Sequence, residues 1–135
     1  MKCLCCADRP FDQCCGPLLD GKKPAPSPEA LMRSRYAAYV RKDFAYILNS
    51  TDPQVRDELD HDANRAWMDG STFTGLDVLS SSQQGSRGEV EFIAWFRQGT
   101  GAEQKHHERS EFRKRRGRWF FREGRMVAPR GGGQP

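Results

Sequence analysis

Two periodicities divide the chain. Between Ser27 and Gly70 apolar side chains recur every three or four residues. From Thr72 they alternate with polar ones. Ser27-Pro28-Glu29 predicts a helix start, with a serine cap, proline in the first turn and an acid beside it. The segment EALMRSRYAAYVRK then carries Leu31, Tyr36, Ala38, Tyr39 and Val40 on a broad apolar face. Asp43 is placed to cap a short helix, FAYIL. Asp52-Pro53 predicts the start of a third helix, with Val55, Leu59, Ala63, Ala66 and Trp67 as its stripe and Gly70 as its end. Four segments follow with strand periodicity: FTGLDVLS, EVEFIAWF, KHHERSEF and RWFFRE. Gln-Gly-Ser-Arg-Gly (84–88), Gly99-Thr100-Gly101 and Arg116-Gly117 separate them, which predicts an antiparallel meander. Three helices ahead of such a meander give an α+β domain with the helices on one face of the sheet, over residues 28–125.

Outside that domain the chain changes character. All five cysteines lie within the first fifteen residues, in the stretch MKCLCCADRPFDQCCG. Residues 17–27 are rich in proline and read as an extended linker, and residues 126–135 read as a flexible tail. The cysteines are spaced Cys3-x-Cys5, eight residues, Cys14-Cys15. Four thiolates at about 2.3 Å from a central ion form the closed tetrahedron of a structural zinc site. Adjacent Cys14 and Cys15 are poor disulfide partners for each other. Sixteen residues hold too little apolar material to fold alone, and a bound metal would supply folding energy on the order of 10 kcal/mol. Redox chemistry of the thiols is the competing reading, and Cys6 is a fifth thiol that can substitute for a ligand.

Composition narrows the functional classes. The 135 residues suit one domain with a small appendage, and 30% charged residues make it polar. No apolar run reaches the ~20 residues of a membrane span, and the charged, cysteine-rich start lacks a signal-peptide core, so a cytoplasmic protein without membrane contact is expected. The net charge of +4 is concentrated late: from Arg113 onward stand eight basic residues and one acid, Glu123. Aromatics interleaved with Arg113–Arg116 fit a single-strand nucleic-acid surface, but the simpler and preferred reading is a polar hairpin turn. No G-x-G-x-x-G, P-loop, G-x-S-x-G or H-E-x-x-H motif occurs.

The C-x-C, eight residues, C-C-G pattern resembles the zinc-binding SEC-C motif, at Cys3, Cys5, Phe11, Cys14, Cys15 and Gly16. Leu4, Cys6, Ala7 and Asp8 depart from its usual Pro, Gly, Ser and Gly. Together with PAPSPEALMRSRYAAYV, VEFIAWFR, HHERSEF and GRWFF, the chain resembles the YchJ-type family over about residues 3–124. That resemblance implies a SEC-C module followed by a nuclear transport factor two-like fold, in which helices pack on a curved sheet to form a cone with a pocket. It implies Zn2+ on Cys3, Cys5, Cys14 and Cys15, and it implies no particular reaction. In the SecA translocase the similar motif contacts a chaperone and the ribosome. By analogy the chain is expected to be a protein-interaction adaptor with an unidentified protein partner, or to bind RNA or the ribosome through the knuckle and Arg113–Arg116. Such cones also pair through the open sheet face, which makes a homodimer an expectation to test.

Alternation along KHHERSEF puts His106, Glu108, Ser110 and Phe112 on one face, expected to be the inner one. On the first long helix Arg35, Tyr36 and Tyr39 are placed to meet them. These residues are the candidate pocket, and His106 and Glu108 are the candidate acid–base pair of an isomerase- or dehydratase-like enzyme. The plainer reading is a buried polar network in which Arg33 or Arg35 neutralises Glu108. Trp67, Trp95 and Trp119 read as core, and His61 as solvated.

Overall fold

Side-chain caps start three of the four α-helices among the described residues. Ser27 Oγ accepts from the Ala30 amide, Asp43 Oδ1 from Tyr46 and Asp60 Oδ1 from Ala63, each at 3.0–3.1 Å. The computed structural model describes residues 2–5 and 8–127. Over these the helices are α1 (Gly16–Leu19), α2 (Pro28–Arg41), α3 (Phe44–Asn49) and α4 (His61–Gly70), with 3-10 turns at Phe11–Gln13 and Arg56–Glu58. The strands are β1 (Ser71–Gln84), β2 (Arg87–Gln98), β3 (Gln104–Arg115) and β4 (Arg118–Met126). They pair antiparallel in chain order as a meander. No helix among the described residues is long and apolar enough to cross a membrane.

Alternation sets the sheet's two faces. Val90, Phe92, Ala94 and Phe96 of β2 are buried beneath the helices, as are Ser110 and Phe112 of β3 and Trp119 of β4. Trp95 lies on the other face, where its indole Nε1 donates to Asp77 Oδ2 at 2.9 Å. Register shifts in β1 (Phe73/Gly75 and Val78/Ser80) and opposite Glu111/Phe112 mark bulges, which bend strands and sharpen twist. One core cluster joins α2 (Leu31, Met32, Tyr36) to the inner sheet face, and a second gathers Ala38, Phe44, Ile47 and Met68.

The structure corrects four expectations. The third long helix begins at His61, not at Pro53. Asp52 does not cap it, because Arg115 Nε and Arg122 Nη1 each hold its fully buried carboxylate at 3.0 Å. Its amide donates to Phe121 O at 2.7 Å, which fixes the segment against β4. Within α4, Ala63 and Ala66 are exposed, and the inward stripe is Asn64, Trp67 and Met68. The stretch read as an extended linker begins inside α1, and its Leu18 and Ala25 are buried in the main core. β4 runs on to Met126, and the Val127 amide donates to His107 O at 2.8 Å. The expected tail beyond it, residues 128–135, and Cys6 lie outside the described residues.

Candidate functional site

The N-terminal module is folded by local bonds around its thiols. Lys2 bridges to Pro10, the Cys3 amide donates to Arg9 O at 2.7 Å, and the Cys14 amide to Phe11 O at 3.1 Å. Gly16 closes the turn because a Cβ there would lie 2.9 Å from Phe11 O. The result brings the Sγ atoms of Cys3, Cys5, Cys14 and Cys15 within 4.8 Å of one another. None of the four is in a disulfide. Sulfurs at the corners of a tetrahedron with bonds of 2.3 Å stand about 3.8 Å apart. The Cys5–Cys14 and Cys14–Cys15 separations are 3.6 and 4.0 Å, close to that spacing, so the donor set suits a metal ion. Burial, then the Cys5 thiol beside it, pushes Cys14 up to about 11, and the Cys5 contact and burial push Cys15 up as well.

The module is packed onto the domain, not suspended from it. Cys3, Cys5 and Cys15 belong to the same core as Leu31, Met32 and Tyr36. Arg33 Nη1 donates to Cys5 O at 3.0 Å while its Nε pairs with Glu29 at 2.9 Å. Arg41 lies over the Phe11 ring.

On its opposite side α2 faces a cavity of about 510 Å³ bounded by α4, the inner sheet face and the Val55–Leu59 segment. Arg35, Tyr36, Tyr39, His106, Glu108 and Ser110 all line it, with Trp67, Phe73, Phe92, Ala94 and Phe112 among the apolar walls. The register explains the grouping. Ala94 pairs with His106, Phe92 with Glu108 and Val90 with Ser110, so one row of β2 and one of β3 turn the same way.

His106 Nε2 donates to Glu108 Oε1 at 2.7 Å, and Ser110 Oγ donates to Glu108 Oε2. The imidazole packs beside Trp67, ring centres 5.3 Å apart. Burial alone would raise the Glu108 pKa. The bonds from His106 and Ser110 and the charges of His106 and Arg35 outweigh it, leaving the carboxylate below its ordinary range. Such a pair can orient a ligand or hold a proton at Nε2. Of the two arginines considered as partners of Glu108, Arg33 serves Glu29 and Cys5, and Arg35 acts on Glu108 through space. Tyr39 OH donates to Asn64 Oδ1 at 3.2 Å, and burial raises its pKa.

Sequence reasoning passed over Gly124. It stands opposite Ser110, and a Cβ there would lie 2.2 Å from Glu108 Oε2. A glycine inside a strand is the signal for such a close approach. Gly124→Ala is therefore expected to swing the carboxylate off His106 and to lower stability by roughly 1–3 kcal/mol. The His106 imidazole resonances and the urea midpoint would report both effects, and unchanged values would show that Glu108 is not held there.

The basic stretch is largely engaged within the molecule. Arg115 and Arg122 bind Asp52, Arg113 approaches Glu111, Arg125 approaches Glu123, and Lys114 lies over Trp119. On the outer sheet face Glu91 holds His107 at 2.8 Å and Arg109 at 2.9 Å. His61, expected in solvent, donates from Nε2 to Arg56 O at 2.9 Å beside Phe44.

Comparison with known proteins agrees with this architecture. Residues 27–124 match the family model described as YchJ, middle NTF2-like domain. A UPF0225 protein of Geobacter sulfurreducens is 40% identical over 130 residues, covering 94% of this chain and 80% of that protein. The solution structure of a SEC-C motif containing protein from Rhodopseudomonas palustris is 63% identical, with TM-score 0.88, covering 94% of this chain and 99% of that one. The crystal structure of another SEC-C motif containing protein, from Psychrobacter arcticus, is 29% identical, with TM-score 0.76, covering 100% and 82%. Cysteine module, helices and meander together thus place the chain in the YchJ-type UPF0225 family, a SEC-C module joined to an NTF2-like domain.

Proposed function

We propose that the protein binds a small molecule in the cone, and that a zinc ion held by Cys3, Cys5, Cys14 and Cys15 fastens the N-terminal module to the outer side of α2. The observation that carries this reading is the 510 Å³ cavity, whose walls are mostly apolar with a few polar groups set among them, His106, Glu108 and Ser110 on β3 and Arg35 on α2. That combination is the usual form of a small-molecule site. Zinc suits the module because four soft thiolates favour it and a closed sphere of four leaves no position for reaction. The zinc would supply folding energy and no chemistry in the cone. An adaptor role for the knuckle would have to use its outer surface, since three of its cysteines are buried against the domain. Acid–base catalysis is the second reading, favoured by the 2.7 Å contact between His106 and Glu108 on the cavity wall.

The test is titration of metal-loaded, isotopically labelled protein with a neutral aromatic alcohol such as 2-naphthol. Resonances of Trp67, Phe92, Ala94 and His106 are expected to move together and saturate. Shifts confined to residues 2–20, or none at millimolar probe, would overturn the proposal.

A further inference from the structure

Arg35 is a cation with part of its hydrogen-bonding edge still open. It is 9% exposed and lines the cavity from the inward face of α2. Its Nη1 donates to Ile47 O at 3.0 Å, Ser50 Oγ at 2.7 Å and Thr51 Oγ1 at 3.3 Å. Its guanidinium carbon lies 4.4 Å from the centre of the Phe121 ring. All of these partners are neutral. The ion pairs of the described residues do not include Arg35. Glu108 acts on it only through space, with both carboxylate oxygens already taken by His106 and Ser110.

The remaining edge, Nε and Nη2, makes no hydrogen bond among the described residues. Neither atom is among the polar atoms sealed from solvent without a partner, so the edge borders open space. Taking a guanidinium out of water costs several kcal/mol unless an anion compensates it. The planar Nε–Nη2 fork matches the two oxygens of a carboxylate.

Resting on the reading of the cone as a ligand site, we propose that its ligand is a small aromatic or alicyclic carboxylate. The carboxylate forks onto Nε and Nη2 of Arg35, and the apolar body lies against the wall formed by Trp67, Phe73 and Phe92. A monoanion is the right charge for this place. One guanidinium balances one negative charge, and the nearby Glu108 carboxylate disfavours a phosphate dianion. Glu58, Glu123 and Arg122 also border the cavity, but both glutamates are exposed with charges screened by water, and Arg122 is already paired with Asp52.

The test compares two probes of one shape, 2-naphthoate and its neutral amide 2-naphthamide, on the metal-loaded wild-type chain. Affinity and the Arg35 Nε–H resonance are read by NMR. Naphthoate is expected to bind at least about tenfold more tightly than the amide and to shift that resonance. Arg35→Lys, which keeps the charge but not the fork, is expected to remove most of the difference. Equal affinities of acid and amide in the wild type would overturn the carboxylate assignment and leave the cone as a ligand site. Binding of neither probe at millimolar concentration would overturn both. The wild-type comparison needs no variant, so a misfolded Arg35→Lys protein would not decide the result.

Discussion

Stripping the metal with a chelator is expected to lower the thermal midpoint by about 10 °C or more, with residues 2–20 losing hydrogen-exchange protection while β2 and β3 keep theirs. The size follows from comparison. Structural zinc contributes on the order of 10 kcal/mol of apparent binding energy to small modules, while a whole domain is stable by roughly 5–15 kcal/mol. The loss is smaller than the full binding energy because the module can detach without unfolding the sheet. Its backbone bonds are short-range, from Cys3 to Arg9 and from Phe11 to Cys14. Among the described residues its ties to α2 include the Arg33 bond to Cys5 O, the Arg41–Phe11 stack and the buried Cys3, Cys5, Cys15 and Leu18 side chains. Once these are released, Leu31 and Ala25 are uncovered, which is the source of the lower midpoint. The second core cluster contains no cysteine and stays closed. An unchanged midpoint with unreactive thiols after chelation would refute the structural role.

Asp52→Ala is expected to cost about 3 kcal/mol, read as a shift of the urea midpoint. The carboxylate has no solvent exposure and answers two arginines. Removing it leaves both guanidinium groups without their anion where Ser50–Asp52 meets β4. Arg115 and Arg122 are 36% and 24% exposed, so water recovers part of their solvation and the cost falls at the low end for a broken buried pair. The same site has a pH signature. Burial would raise the Asp52 pKa, but the Gln54 amide, Arg122 and Arg115 outweigh it and hold the group below the usual carboxylate range. A folded pKa below the unfolded value stabilises the protein above about pH 4 and loses that contribution as pH falls through the folded value. Wild-type stability should therefore decline below about pH 4 more steeply than that of Asp52→Ala. Parallel declines would show that Asp52 is not linked to folding.

Elements with a local cause were legible in the sequence. Ser27 and Asp43 cap the helices they precede, because capping needs only the next three residues. Alternation in KHHERSEF puts His106, Glu108, Ser110 and Phe112 on the face that lines the cavity. The cysteine spacing brings four sulfurs together because the intervening loop closes on itself. What escaped depends on residues far away in the chain. Asp52-Pro53 has the form of a helix start, yet arginines beyond residue 114 draw Asp52 into the core. Val55 and Leu59 fit a helical stripe but belong to the irregular segment bordering the cavity. Trp67 reads as core and is instead an aromatic wall beside His106. The proline-rich stretch reads as a tether, but Leu18 and Ala25 fasten it down, which only the position of α2 reveals.

The proposed function puts recognition in the cone and fastening in the cysteine module. The most direct test is a side-by-side titration with 2-naphthol of the wild type, a Cys14→Ser/Cys15→Ser variant and Ala94→Trp, each held below its own unfolding transition. Ala94 is buried at the cavity wall, so a tryptophan there fills the space a ligand needs. Binding within about threefold of wild type is expected for the double cysteine variant, and loss of at least about tenfold for Ala94→Trp. Binding that vanishes in the cysteine variant and survives in Ala94→Trp would contradict it and move recognition to the knuckle.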